Sequence, residues 1–160
     1  MRQQAGIAAE EPVVDEIRIR VAALIVEASQ LLLVEHTKDG RSYWMPPGGG
    51  VDFGETLTGA LARELREELG VTIEAEALVA ASDAIEPGGN RHIVNLFFTA
   101  RITEGIPLVG EDERVSGVAF HPLNSLAEIE LFPPIASTLQ ELFAQESIPH
   151  ARYLGNLWKS

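Results

Sequence analysis

Three glutamates, Glu64, Glu67 and Glu68, fall within five consecutive residues of a segment with helical periodicity. At about 100° per residue, Glu67 and Glu68 lie about 60° and 40° to either side of Glu64, so the three carboxylates share one face. Like charges at this spacing destabilise a helix by some tenths of a kcal/mol per pair. Carboxylate oxygens are preferred ligands of Mg²⁺ and Mn²⁺, so the pattern suits a divalent-cation site, but the three glutamates taken alone are more typical of a solvated acidic face.

A run of three glycines, Gly48 to Gly50, precedes this segment. Consecutive glycines permit positive φ angles and let a ligand approach main-chain groups closely. We therefore expect a loop that presents main-chain N–H and C=O groups beside the acidic helix, which favours a site over a solvated face. Zinc is a poor candidate for that site, because the chain has no cysteine and the predicted helix has no histidine.

The helix that carries the glutamates is predicted over Thr56 to Leu69. Thr56 is a suitable N-cap, and Gly70 stands at the position of a left-handed C-cap residue. Leucines recur every fourth residue along the segment and form a stripe that we expect to be buried: Leu57, Leu61, Leu65 and Leu69.

The remaining pattern predicts one α/β domain over residues 16–160. Apolar alternation or apolar runs predict strands at residues 17–26, 31–34, 44–45, 71–80, 91–102 and 115–120. A second amphipathic helix is predicted after Pro133-Pro134, from the spacing of Ile135, Leu139 and Leu142. Residues 1–15 are expected to form a flexible tail or an edge strand borrowed by a partner, which is compatible with a homodimer.

The charge balance narrows the class of ligand. The 160-residue chain has 24 acidic and 12 basic residues and a formal net charge of −12. Such a surface repels phosphate backbones and anionic membranes, so nonspecific nucleic-acid binding is not expected. A single small phosphorylated molecule remains compatible with it, because a bound metal reverses the local field.

The lack of cysteine and the hydropathy of the chain exclude further kinds of site and of membrane-spanning segment. The absence of cysteine excludes disulfides and cysteine nucleophiles. The first residues lack the apolar block of a signal peptide, and the longest apolar run, residues 21–26, is too short to cross a membrane. A soluble, cytoplasmic domain is the expectation.

The glycines and the acidic helix together resemble the signature of a known family, the Nudix box. That signature specifies nine positions by residue type, and the chain matches all of them: Gly49, Glu55, Arg63, Glu64, Leu65, Glu67, Glu68, Gly70 and Val71. The approach from Trp44 to Gly49 is also similar to that of the family. The resemblance implies a Nudix-type α/β/α sandwich with a mixed β-sheet over nearly all of the chain.

The resemblance also implies roles for individual residues. Glu64, Glu67 and Glu68 would bind Mg²⁺ or Mn²⁺, and Glu67 or a neighbour would take the proton of an attacking water. The main-chain carbonyl of Gly48 would complete the coordination.

Two further expectations concern residues around the metal ligands. Glu55 and Arg63 would form a salt bridge that braces the glycine segment against the helix. Members of the family often supply one more carboxylate from a loop outside the helix. Among Glu111, Asp112 and Glu113 we expect Glu113 to do so, and the alternative is that all three solvate a turn.

The activity that the resemblance implies is metal-dependent hydrolysis of the pyrophosphate bond in a nucleoside diphosphate derivative. Pro87 lies sixteen residues after Val71, where it resembles a mark of ADP-ribose pyrophosphatases, so ADP-ribose or a nucleotide sugar is the predicted substrate. An ordinary turn is the alternative explanation of Pro87.

Two other functions stay open beside this one. The first is a nucleoside triphosphate pyrophosphohydrolase that cleans the nucleotide pool. The second is a catalytically silent nucleotide-sensing domain, which the complete set of carboxylates disfavours. The four histidines are scattered and are expected to be structural or exposed: His36, His92, His121 and His150.

Overall fold

The computed structural model describes residues 15–158, so the expectation of a tail or edge strand over residues 1–15 falls almost entirely outside the described residues. Nine strands lie within the described range: β1 (Ile17–Leu24), β2 (Val26–Glu27), β3 (Gln30–Lys38), β4 (Arg41–Met45), β5 (Gly48–Gly50), β6 (Thr72–Ile85), β7 (His92–Glu104), β8 (Val115–Pro122) and β9 (Arg152–Asn156). Three helical segments accompany them: α1 (Leu57–Leu69), a 3-10 helix (Leu123–Glu128) and α2 (Ala136–Phe143).

The strands form two sheets. The larger sheet has the order β5-β1-β7-β6-β9. In it β1 is parallel to β7 and β6 is parallel to β9, whereas the other neighbours are antiparallel. In the smaller sheet β3 pairs antiparallel with β2, β4 and β8.

Alternate residues of β1 face two separate apolar cores. Val21 and Ala23 pack with the leucines of α1, whereas Ala22 and Leu24 pack with α2, and β3 alternates in the same way. A period of two lets one strand bury both of its faces. The strands therefore lie between α1 and α2, which confirms the predicted α/β/α sandwich with a mixed sheet. Across residues 15–158, no helix has the length and apolar character needed to cross a membrane.

Helix α1 begins and ends where the sequence predicts. The Thr56 side chain accepts a hydrogen bond from the Gly59 N–H at 3.0 Å, and Gly70 adopts φ 68° while its N–H donates to the Arg66 carbonyl at 3.0 Å. Three leucines of the predicted stripe are fully buried and Leu57 is half-buried. Both caps and the stripe thus fix the helix against the strands.

The predicted strand over residues 17–26 is divided between the two sheets. β1 ends at Leu24 in the larger sheet, and β2 begins at Val26 in the smaller one. Ala28 and Ser29 then have φ values of 48° and 61°, the positive angles of a two-residue I′ hairpin turn into β3. The sequence does not reveal this crossing, because the apolar run continues without a break from β1 through Ile25 to Val26.

The hairpin after α1 is longer than predicted. β6 continues to Ile85 rather than ending at residue 80, and its turn is closed by a hydrogen bond from the Gly89 N–H to the Glu86 carbonyl at 2.9 Å. The sequence gives no sign of β9, which is five residues long and lacks apolar alternation. β9 pairs with the edge of β6, so residues 152–156 belong to the larger sheet.

Candidate active site

The three glutamates of α1 differ in exposure. The side chain of Glu67 is 63% exposed, that of Glu64 is 21% exposed and that of Glu68 is 7% exposed. The Glu68 Oε2 atom accepts a hydrogen bond from the Gly48 N–H at 3.0 Å. The carboxylate of Glu68 is therefore fixed by the main chain of β5, whereas that of Glu67 is largely exposed to solvent.

The glycine segment is the short strand β5, so the predicted loop is wrong. β5 lies at the edge of the larger sheet beside β1, with Gly49 opposite Val21. A Cβ atom at Gly49 would lie 2.3 Å from the carboxyl group of Glu64, and one at Gly48 would lie 2.0 Å from the Val21 carbonyl oxygen. Of the three glycines only Gly48 has a positive φ, at 153°. At Gly49, therefore, lack of space and not a positive φ angle excludes a side chain.

Arg63 connects the residues of the site. Its Nε and Nη2 atoms donate to the two carboxylate oxygens of Glu55, at 2.6 and 2.9 Å. Its Nη1 atom donates to Glu64 at 2.9 Å and to Glu67 at 3.3 Å, and Nη2 also reaches the Gly50 carbonyl at 3.0 Å. The expected salt bridge between Glu55 and Arg63 is thus present and ties β5 to α1.

The same arginine sits between carboxyl groups whose pKa values move in opposite directions. Hydrogen bonds from Arg63 and from the Asp52 N–H lower the pKa of Glu55 to about 2. Burial raises the pKa of Glu64, and the charges of Glu67 and Glu68 raise it further against the attraction of Arg63. A divalent cation beside Glu64 would relieve this repulsion.

The donor set suits a hard divalent cation. Carboxylate and carbonyl oxygens are the ligands that Mg²⁺ and Mn²⁺ select. Within residues 15–158, no three His, Asp or Glu side chains lie close enough together to form a ready-made metal site. In this arrangement the Arg63 Nη1 atom donates to both Glu64 and Glu67, so these two carboxylates are directed at the guanidinium.

A second segment approaches the end of α1. The N–H groups of Leu108 and Gly110 donate to the free carbonyls of Leu69 and Glu68 at 3.1 and 2.9 Å. A Cβ atom at Gly110 would lie 2.7 Å from the Glu67 carbonyl oxygen, so a glycine is needed for this contact. These bonds satisfy carbonyls that a helix end leaves unpaired.

A cleft of about 660 Å³ opens between α1 and this segment. Its walls carry the three glutamates of α1 together with Glu111 and Asp112. Asp112 is held by Arg114, whose hydrogen bonds lower the pKa of Asp112 to about 2. Glu113, the residue expected from sequence, is exposed and does not line the cleft. Of the three acidic residues, the structure brings Glu111 and Asp112 to the cleft instead.

Two residues that the sequence analysis did not select lie at the site. His36 lies at the end of β3, and its Nε2 atom is 3.7 Å from Glu68 Oε1. Burial lowers the pKa of Arg20 on β1, and the negative charges of Glu68 and Glu64 act in the opposite direction. His36 follows the buried residues Leu31–Val34 on β3 and shares the α1 face with residues 32 and 34 by strand alternation. That alternation is the signal that could have found His36.

The other three histidines lie elsewhere. His121 packs edge-on against the ring of Trp44, with 4.3 Å between centroids. His92 contacts Asp83 at 2.9 Å, and His150 is exposed. Their surroundings agree with the structural or exposed character expected from sequence.

The chain belongs to the NUDIX domain family, whose model matches residues 16–143. This match confirms the resemblance carried by residues 49–71. Among curated relatives, Phosphatase NudJ from Escherichia coli is 33% identical over 69 residues, which are 43% of this chain and 45% of that protein. The chain thus spans about half the length of the curated relatives it matches.

Solved structures share the fold. A MutT NUDIX hydrolase from Burkholderia pseudomallei is 30% identical, with a TM-score of 0.63, over 68% of this chain and 85% of that one. An ADP-ribose pyrophosphatase from Streptococcus suis is 22% identical, with a TM-score of 0.64, over 87% of this chain and 98% of that one. The second likeness concerns the fold alone.

Proposed function

We propose that this chain hydrolyses the pyrophosphate bond of a nucleoside diphosphate derivative with Mg²⁺ or Mn²⁺ as cofactor. The single observation that supports this most is the arrangement on α1, where three carboxylates share a face and one of them is hydrogen-bonded to the main chain of β5. Membership of the NUDIX domain family and the hydrolase and phosphatase names of its relatives support the same class of reaction.

The proposed metal ligands are the glutamates of α1 and the main-chain carbonyl of Gly48. We propose Glu111 as the additional carboxylate, because it lines the cleft while Asp112 is already held by Arg114. A bound divalent cation would neutralise phosphate charge and lower the pKa of a water molecule.

The chain's own groups supply positioning and proton transfer. Arg63 keeps Glu55 and Gly50 in place and so holds β5 against α1. Glu67, the most exposed of the three glutamates, is the proposed acceptor of the proton from the attacking water. The water oxygen bonds to phosphorus as the P–O bond of the anhydride breaks, and the leaving phosphate carries away the electron pair.

We propose ADP-ribose or a nucleotide sugar as the substrate. This choice of substrate rests on the position of Pro87. This residue is exposed in the turn between β6 and β7. The experiment is a steady-state comparison of ADP-ribose, a nucleotide sugar, nucleoside triphosphates and diadenosine polyphosphates with Mg²⁺, with identification of the products. The highest kcat/KM is expected for ADP-ribose or the nucleotide sugar.

Other outcomes of this comparison would separate the alternatives. A triphosphate preferred by about tenfold or more would overturn the substrate proposal and leave the reaction class intact. Nucleotide binding without turnover of any compound would indicate a sensing domain and contradict the proposed hydrolysis.

A further inference from the structure

Three exposed aliphatic side chains lie on one wall of the cleft that carries the glutamates of α1. Ile106, Leu108 and Val109 are 78%, 68% and 41% exposed, and all three line that cleft. Single exposed apolar residues are ordinary on a protein surface, whereas contiguous ones mark binding surfaces. These three side chains form what we call the aliphatic wall. Its place beside carboxylates indicates a ligand with a charged part and an apolar part.

The main chain holds the aliphatic wall against the end of α1. Besides the hydrogen bonds that Leu108 and Gly110 donate to the helix, both limits of the segment touch it closely. A Cβ atom at Gly105 would lie 2.9 Å from the Gly70 carbonyl oxygen, and one at Gly110 would lie 2.7 Å from that of Glu67. Because the backbone is the part that contacts the helix, the aliphatic side chains are left on the open side of the segment.

The side chains of the aliphatic wall offer a ligand no hydrogen bonds. They are hydrocarbon, and the N–H groups of Leu108 and Gly110 are already donated to α1. A hydroxyl or amide group against this wall would lose hydrogen bonds to water without replacement, whereas a hydrocarbon chain would gain by leaving water. The wall therefore suits an aliphatic group better than a sugar or a base.

Apolar surface continues beyond the first cleft. Ile106 also borders a second cleft of about 420 Å³, whose walls include Ile102, Pro107 and Phe120 together with two glutamates. The first cleft, at about 660 Å³, has the size of a small-molecule site. An aliphatic chain of several carbon atoms thus finds apolar surface along its length.

We propose that the chain also hydrolyses diphosphate esters of aliphatic alcohols, with the aliphatic group against the aliphatic wall. The proposal rests on the proposed function for the reaction at the diphosphate, and it adds a class of substrate that has no nucleoside. The water oxygen bonds to phosphorus and the anhydride P–O bond breaks. The electron pair of that bond leaves with the departing phosphate, and the water proton goes to Glu67. The products are an alkyl monophosphate and inorganic phosphate.

Three esters of methylenediphosphonate, whose P–C–P bridge cannot be hydrolysed, test the wall by binding alone. They carry a methyl, a hexyl or an adenosine group on the same head group, and each is titrated calorimetrically into the full chain with Mg²⁺. The hexyl ester is expected to bind about tenfold or more tightly than the methyl ester, because its additional CH₂ groups leave water. Equal affinities of these two esters would overturn the proposal.

A double variant, Ile106→Thr with Leu108→Asn, replaces two residues of the wall by polar ones of similar size. It should remove most of the advantage of the hexyl ester and leave binding of the methyl ester as in the wild type, a difference that damage to the fold would not produce. Ile17→Thr on β1 is the matched control, because Ile17 is also exposed and does not line the cleft. The control should keep the full advantage of the hexyl ester.

Two outcomes with the double variant would overturn the proposal. An advantage of the hexyl ester that persists in this variant would place the hexyl group elsewhere on the protein. A loss for the adenosine ester as large as that for the hexyl ester would show that the wall binds a nucleobase instead.

Turnover separates this proposal from the proposed function. The kcat/KM of hexyl diphosphate should exceed that of methyl diphosphate by about tenfold or more, and the double variant should remove the difference. If nucleotides are hydrolysed but the hexyl group brings no advantage in binding or turnover, the aliphatic substrate is wrong and the proposed function stands. If hexyl diphosphate is hydrolysed and no nucleotide is, the nucleotide substrate is wrong and the aliphatic substrate stands.

Discussion

The two helices cover opposite faces of the same strands, yet they differ in what they bring to those faces. α2 has eight residues, no side-chain cap and an apolar core around Leu139 and Leu142. α1 has thirteen residues and caps at both ends, and it also carries the buried carboxylate of Glu68. The three glutamates of α1 repel one another and so destabilise the helix. The two caps and the buried leucine stripe of α1 offset that repulsion.

The largest contrast between the helices should come from one substitution in each. Glu68→Gln is expected to lower turnover about a thousandfold, because it removes a charged metal ligand. Its thermal midpoint in metal-free buffer should be unchanged or higher, since it relieves repulsion on α1. Steady-state kinetics and calorimetry measure both quantities.

Leu139→Ala on α2 is the matched variant and should show the reverse. The loss of a buried leucine should lower the free energy of unfolding by about 2–5 kcal/mol, with normal turnover in the folded fraction. Near-normal turnover of Glu68→Gln would contradict the metal-ligand assignment.

The glycine strand gives a second contrast over two adjacent positions. Gly49→Ala places a Cβ atom 2.3 Å from the Glu64 carboxyl, whereas Gly50→Ala meets nothing within 4 Å. Displacement of Glu64 should reduce kcat by roughly tenfold to a hundredfold, at an overpacking cost of about 1–3 kcal/mol. Gly50→Ala should change neither quantity appreciably, and equal effects of the two variants would show that the strand is structural only.

The N-terminal cap allows the stability of α1 to be altered apart from its chemistry. Thr56→Ala removes the hydrogen bond to the Gly59 N–H and should lower the free energy of unfolding by about 1 kcal/mol. Turnover should be unaffected at temperatures where the protein is folded. Urea unfolding and kinetics at 25 °C test this, and a parallel loss of kcat would mean that fraying reaches the glutamates.

The smallest expected effect concerns Glu55. Since folding lowers its pKa from 4.5 to about 2, its ionised form contributes stability at pH values above 4.5, and that contribution is lost as the pH falls toward 2. Glu55→Gln should therefore be less stable than wild type at pH 7, and the difference should shrink between pH 4.5 and 2. Unfolding at several pH values in metal-free buffer measures it, and a constant difference would exclude the Arg63 ion pair as its origin.

Local pattern was sufficient to predict α1 and the face that its three glutamates share. The leucine spacing, Thr56 and Gly70 fix its limits, and the spacing of the glutamates fixes their common face. These features depend on residues a few positions apart. The salt bridge between Glu55 and Arg63 also joins nearby residues and was expected for that reason.

Features that depend on distant parts of the chain were not predicted. The glycine segment becomes a strand because β1, some thirty residues earlier, pairs with it, and the Glu64 carboxyl group of α1 leaves no space for a side chain at Gly49. Glu111 and Asp112 line the cleft because two main-chain hydrogen bonds hold the preceding segment against α1. His36 comes within 3.7 Å of Glu68 only once β3 packs against α1. Strand alternation predicts the face on which His36 lies but not that Glu68 lies opposite it.

The N–H groups of Leu108 and Gly110 donate to the last carbonyls of α1. Local unfolding of the segment at residues 106–110 should therefore occur together with unfolding of the last turn of α1. The amide hydrogens of these residues exchange with solvent only when the bonds open, and opening leaves the Leu69 and Glu68 carbonyls without partners. The segment at residues 106–110 and the last turn of α1 should therefore become accessible to deuterium together. Because Glu68 lies in that turn, the same opening would loosen the carboxylate end of the cleft, and a ligand bound there would slow exchange in both segments.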